Sequence, residues 1–289
     1  MIFPSESVIF LSVIRMEWKI RDNDIVVICD NFDAAASLDC GQAFRWVVEE
    51  DGTCDGFALG KHLRLRTNGN ETVFFDTSKE DFENIWINYF DFNRDYAEII
   101  SKISGNEVIK EAIRFSGGIR VLRQDPWETL CSFIISQNNN IPRIKGIIAR
   151  LCENFGDKCG DFYSFPTAER LADLNPEDLA PLRCGFRARY IIDAARKVSS
   201  GEVDLQKLFD ADTDYAQNEL MKICGVGAKV ADCTLLFGLG HIEALPKDVW
   251  IKRALEKLFG GTLPAECEPY AGIVQQYIFQ YARLTKLDI

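Results

Sequence analysis

No apolar run in the 289 residues reaches the ~18 that a membrane-spanning helix needs, so none is expected. The opening stretch MIFPSESVIFLSVIR is apolar, but it has no basic leading region and no small-residue cleavage site, which argues against a signal peptide. Histidine occurs twice in the whole chain, too rarely for a histidine-ligated metal centre to be expected. The ten cysteines include no C-x-x-C pair, and only Cys267 lies near the C-terminus, so the four-cysteine pattern of an iron–sulfur cluster is missing. They read instead as reduced, mostly buried small hydrophobes of a cytoplasmic protein. Positive charge is also short: 33 Lys and Arg face 44 Asp and Glu, a net charge of −11 that at first argues against a polyanionic partner.

What is present changes that last reading. Residues 21–99 hold 17 acids and 7 Lys/Arg, whereas residues 100–289 come to about −1. NNIPRIKGIIAR carries three positive charges and no acid, and RCGFRARY carries three in eight residues. The segregation permits a basic groove on an acidic protein, although a solvated surface is the plainer explanation. Hydrophobic residues make up 47%, enough for a packed core.

The fold class expected is α+β. DIVVIC, AFRWVV, HLRLR and ETVFF are short aromatic or β-branched runs, separated by the turn-like EEDGTCDG and TNGN, and predict an antiparallel sheet. SKEDFENIWINYF then opens helically, with Ser78 as N-cap and Asp81 three residues on. From about residue 94 the period is helical. In QDPWETLCSFIISQ, Asp125 is the expected N-cap, Pro126 takes the first helical position and Glu128 completes a capping box. IPRIKGIIARLCENFG places Ile141, Ile144, Ile148 and Leu151 on one face. FRARYIIDAARKV, TDYAQNELMKIC, KVADCTLLFGLG, DVWIKRALEKLFG and CEPYAGIVQQYIFQYARLTK predict further helices. The expected division is a sheet domain with flanking helices over 1–105 and an all-helical domain over 106–289. Met16 is a candidate second start, and residues 1–15 read as a disordered extension.

The sharpest local signal is CGVGAKVADC, residues 224–233. Gly225 suits the left-handed position that ends a helix, Gly227 lets the chain turn into the next one, and Val226 anchors the turn in the core. Two helices joined in this way leave free N–H groups at the second helix's start, which can hold a phosphate. A purely structural junction is an equal reading of the turn alone. Lys229 falls in the first turn of that second helix, where the positive end of the dipole disfavours an ammonium relative to the free amine a nucleophile requires. Cys233, four residues on, shares its face. In LPKDVWIKRAL, Asp248 is an N-cap 19 residues after Lys229, far enough for one helix and a return loop. An amine and a carboxylate facing one space suit attack at a sugar carbon that becomes cationic as its base departs.

On ICGVGAKVADC and ALPKDVW, the chain resembles the helix–hairpin–helix DNA glycosylases that carry a Gly/Pro-rich loop and a catalytic aspartate. The similarity runs over roughly residues 39–283 and takes in GQAFRW, LRQDPWETLCSFIISQNNNIPRI, GFRARY and YAGIVQQYIF; GQAFRW, SQNNNIPRI and VADC together narrow the resemblance to the 8-oxoguanine DNA glycosylase/AP lyase branch. The resemblance implies two helical lobes with a cleft between them. Within it, Lys229 would attack C1′ and form a Schiff base that permits β-elimination, and Asp248 would stabilise the developing charge. It further implies that Cys233 and Phe279 sandwich the flipped purine and that Gln275 bonds its Watson–Crick edge. A carbonyl of Gly41 would meet N7–H, a donor in 8-oxoguanine where guanine has an acceptor. Asn138, Arg143, Phe186 and Arg187 match residues that fill the gap and contact the orphaned cytosine. Gly225, Val226 and Gly227 would hold a DNA phosphate. The partner implied is lesion-bearing duplex DNA, met by a monomer, nucleoid-associated if the source is prokaryotic. No cofactor and no catalytic metal are implied, although a structural cation at the hairpin is a possible companion.

Three positions depart from the family pattern. Phe186 stands where tyrosine is frequent, Cys224 replaces a common hairpin proline, and Trp250 stands where eukaryotic relatives have a histidine that contacts a phosphate. Two alternatives stay open at this stage: a non-catalytic DNA-binding module, and a glycosylase for another damaged base.

Overall fold

The computed structural model describes residues 16–285, so the expected extension over residues 1–15 lies outside the described residues. Six antiparallel strands form one sheet: β1 (Met16–Arg21), β2 (Asp24–Cys29), β3 (Trp46–Val48), β4 (Cys54–Ala58), β5 (Lys61–Asn68) and β6 (Glu71–Phe75), in the order β1-β2-β6-β5-β4-β3. Alternation explains β5, where Leu63 and Leu65 point into the core while His62, Arg64 and Arg66 face outward. Leu65 pairs with Phe74 of β6, and both are buried.

Two strands depart from the expectation. EEDGTCDG is not all turn: Gly52 N–H closes the turn on Glu49 O at 3.0 Å, and Cys54 already begins β4. Gly56, which suggests a turn in the sequence, is there for a different reason. A Cβ on it would stand 2.4 Å from the Trp46 indole of the neighbouring strand. Strand β1 gives little sequence signal because it is an edge with Glu17, Lys19 and Arg21 in solvent.

Short helix α1 (Ala34–Leu38) follows β2, and α2 (Tyr96–Ile103) and α3 (Glu107–Phe115) lead out of the sheet region. The helical part then consists chiefly of α4 (Pro126–Ser136), α5 (Ile141–Phe155), α6 (Arg187–Ser199), α7 (Thr213–Leu220), α8 (Ala228–Thr234), α9 (Val249–Phe259) and α10 (Ala271–Thr285). Ser78 and Asp125 cap as expected, accepting from Asp81 N and Glu128 N. Helix α4, however, lacks the return half of a capping box. Glu128 instead reaches Arg45 of the sheet region at 3.2 Å, and burial pushes its carboxyl up to about 7 against the pull of that guanidinium. The KVADCTLLFGLG segment changes pitch: α8 widens into a π-helical turn over Leu235–Leu239. Ile144, Ile148 and Leu151 of α5 are buried as their spacing predicts, but Ile141 is only half-buried and faces a cavity.

The core forms two apolar clusters. One lies around the sheet with Trp46, Phe74, Trp86 and Phe90; the other runs through the helices with Leu130, Ile147, Val230 and Tyr277. Buried Gln42 stitches them together. Its amide nitrogen donates to Ser37 O and Arg120 O, both at 2.8 Å, while its oxygen accepts from Leu122 N at 2.9 Å. These bonds fix the loop over residues 39–42 between sheet and helices.

Candidate active site

That loop forms one wall of a cavity of about 760 Å³, whose lining includes Gly41, Phe133, Ser136, Lys229, Asp248 and Phe279. Gly41 has φ +84°, a conformation that favours glycine, and a Cβ on it would only touch Ile141 and Phe279 at 3.8 Å. Glycine is therefore set here by backbone angle, not by crowding. Among the described residues no donor reaches the Gly41 carbonyl.

Lys229 is placed by the turn that precedes it. Gly225 has φ +77°, Val226 is buried, and the N–H of Val226 closes on Ile223 O at 3.0 Å. Gly227 N-caps α8, which starts at Ala228 as expected, but its φ of −101° and ψ of 178° are extended backbone that does not require glycine. A Cβ there would meet nothing within 4 Å, whereas a Cβ at Gly225 would stand 2.4 Å from the Tyr190 ring. Gly225→Ala is therefore expected to lower unfolding stability by about 1–3 kcal/mol, through both φ and the ring. Gly227→Ala should leave stability within about 0.5 kcal/mol. Denaturant midpoints of the two variants check the contrast.

The Lys229 side chain is half-buried. Its Nζ donates to Ser136 Oγ at 3.5 Å and stands 4.9 Å from the Phe133 ring centroid. Among the described residues no carboxylate lies within 4 Å of it to hold the amine in an ion pair. Cys233 is fully buried behind it. Burial pushes that thiol up to about 11 against the opposing Lys229 charge, so it stays an uncharged wall. Asp248 N-caps α9, one carboxylate oxygen accepting from Ile251 N at 2.7 Å. Its other oxygen has no partner among the described residues, and the residue borders the cavity with Lys229.

Helix α10 supplies the opposite wall. Phe279 lines the cavity, while Gln275, one turn earlier, is buried beside it and does not line it. Gln275 Oε1 is buried without a hydrogen-bond partner, an acceptor left for a donor from outside the chain. Trp250 lies on the rim, half-exposed beside the exposed Val249. Ser136 and Phe133 are the neighbours that sequence reasoning missed. Both sit on a helix that reads as core, and nothing in its spacing places them beside a lysine more than 90 residues away.

Asn138, Arg143, Phe186 and Arg187 are not in the cavity; they gather where α4 meets α5 and α6 begins. Arg187, which the family resemblance puts against the orphaned cytosine, has its guanidinium largely taken up by backbone carbonyls. It is buried, with Nε donating to Gln137 O at 2.8 Å, Nη1 to Cys184 O at 3.0 Å, and Nη2 to Asn138 O at 3.0 Å and to Gln137 O. Its guanidinium lies 4.5 Å from the ring of Phe186, which is 48% exposed. Asn138 holds φ +48°, rare for a residue with a side chain. Arg143 is exposed, and its charge bears on Arg187. Among the described residues no group of three or more His, Cys, Asp or Glu is placed to hold a metal, and no helix is long and apolar enough to cross a membrane.

Comparison with known proteins matches residues 25–130 to the 8-oxoguanine DNA glycosylase N-terminal domain and residues 131–266 to the HhH-GPD superfamily of base excision DNA repair proteins. The chain is 42% identical to the N-glycosylase/DNA lyase of Saccharomyces cerevisiae over 76% of its own length and 66% of that protein's. It is 33% identical to the Arabidopsis thaliana N-glycosylase/DNA lyase over 73% and 62%. It thus spans slightly under two thirds of these curated relatives. Among solved structures it is similar to the Clostridium acetobutylicum 8-oxoguanine glycosylase/lyase in complex with double-stranded DNA containing cytosine opposite 8-oxoguanine. That likeness has a TM-score of 0.87 and 35% identity, covering 94% of this chain and 98% of the other.

Proposed function

The chain belongs to the 8-oxoguanine DNA glycosylase family of the HhH-GPD superfamily, and from that membership we propose that it excises 8-oxoguanine opposite cytosine from duplex DNA and then cuts the strand, acting as a monomer. The observation that carries this reading is that Lys229 and Asp248 both line a cavity with room for a purine, walled by Gly41 and Phe279.

The substrate base first leaves the helix stack, at a cost of a few kcal/mol. In the cavity the Lys229 amine bonds to C1′ as the bond from C1′ to the base breaks, and the base leaves with that electron pair. The Asp248 carboxylate offsets the positive charge that builds on the sugar. Opening of the sugar ring gives the Schiff base, loss of a C2′ proton expels the 3′ phosphate, and hydrolysis frees the lysine. Every group needed is a side chain or backbone atom of this chain, so no resident cofactor takes part. Gly41 and Gln275 divide the recognition. A carbonyl accepts from N7–H, which guanine lacks, and the buried, unpartnered Gln275 oxygen accepts from the N–H donors of the purine's pairing edge once its side chain turns toward the cavity that Phe279 lines.

Borohydride reduction during turnover tests the proposal. A covalent protein–DNA adduct is expected with duplex containing 8-oxoguanine opposite cytosine and not with the undamaged duplex. Absence of both adduct and released base would leave only a DNA-binding module.

A further inference from the structure

The loop that presents the Gly41 carbonyl is held from two sides, and only one hold belongs to the buried core. After Gly41, Gln42 is fixed by the three bonds to Ser37, Arg120 and Leu122 described above. Before it, Asp39 is gripped from α10: Arg283 Nη1 donates to Asp39 O at 2.6 Å, and Nη2 donates to its carboxylate at 3.1 Å. Lys145 Nζ stands 3.8 Å from the other carboxylate oxygen and donates to Trp46 O at 2.7 Å. Arg283 itself borders the cavity, one helical turn beyond Phe279. A single helix therefore carries Gln275, Phe279 and the arginine that ties down the facing wall.

We propose that Arg283 is a positioning residue for lesion discrimination: by holding Asp39 it sets the Gly41 carbonyl at the height where it meets N7–H of a base seated on Phe279. This rests on the proposed excision of 8-oxoguanine and adds a residue to it. An ion pair this exposed contributes little to folding, because solvent screens it. The bond to the Asp39 backbone carbonyl is different in kind, since it fixes main-chain position two residues from the reading atom. A shift of the Gly41 carbonyl weakens the one contact that distinguishes the two purines and leaves the Lys229 amine where it is.

The test compares two reactions of the whole protein. Arg283→Met keeps an apolar stem at the cavity edge and removes the donors. In this variant 8-oxoguanine excision should fall about tenfold more than cleavage at a preformed abasic site, which has no base to read. In a Lys229→Gln background, the affinity ratio of 8-oxoguanine duplex to guanine duplex should drop by about tenfold on adding Arg283→Met, with Arg283→Lys recovering part of it. Equal loss of excision and abasic cleavage, or an unchanged affinity ratio, overturns the assignment. If the wild-type protein releases no 8-oxoguanine, the proposed function fails; if it does and Arg283→Met keeps the wild-type ratios, only the Arg283 inference fails.

Discussion

Lys229→Gln is expected to abolish the borohydride adduct and to slow both base release and strand cleavage by about a thousandfold or more, equivalent to at least ~4 kcal/mol of barrier. Lesion-containing duplex should still bind. Glutamine matches the reach of the lysine stem but offers no amine. The surroundings it enters are tolerant, since Nζ makes a long 3.5 Å contact with Ser136, lies over the Phe133 ring and adjoins the uncharged Cys233 thiol. Folding should consequently change little. Gel-shift titration, adduct trapping and single-turnover kinetics on one preparation separate the outcomes. An adduct as strong as the wild type's would transfer the nucleophile's role to another residue.

Asp248→Asn is the second large effect. Asparagine is as good an N-cap as aspartate, so the bond now accepted from Ile251 N can persist and thermal stability should hold within about 0.5 kcal/mol. The negative charge facing the cavity is lost, and excision should fall by roughly 100- to 1,000-fold, the size of effect seen when one electrostatic stabiliser is removed from a site that excludes water. Asp248→Ala should add a loss of about 1 kcal/mol in stability, because it deletes the cap as well. Thermal melts paired with single-turnover rates for the two variants divide the structural duty of this residue from its chemical one. Equal melting losses in both would show that the cap needs the charge.

Local chemistry made much of the site legible. The left-handed Gly225, the cap at Asp125 and the cap at Asp248 each act within three or four residues, and each is where its sequence signal points. Strands β5 and β6 follow from alternation alone. Long-range contacts were not legible. Gly56 looks like a turn residue until the Trp46 ring occupies the space over it. Glu128 fits a capping box until Arg45 of the sheet offers a full charge. Arg187 lies in a basic cluster that suggests solvent, yet backbone carbonyls from another helix end draw it inside. Arg283 and Asp39 are 244 residues apart, and no periodicity connects them. In each case the deciding partner is remote in sequence, whereas caps and turns carry their reason beside them.

Were Asn138 and Arg187 to meet the strand opposite the lesion, as the family resemblance implies, the burial of Arg187 would bear on how fast that strand is read. Its grip on the carbonyls of Gln137 and Asn138 splints the α4–α5 joint, holding Asn138 in a conformation that an unsupported loop would visit only briefly. Little freedom then remains to be frozen when a strand arrives, so preorganisation has already met the ordering entropy during folding. Fidelity at this patch should accordingly be written in residence time on the duplex, with encounter rates much the same for matched and mismatched sites.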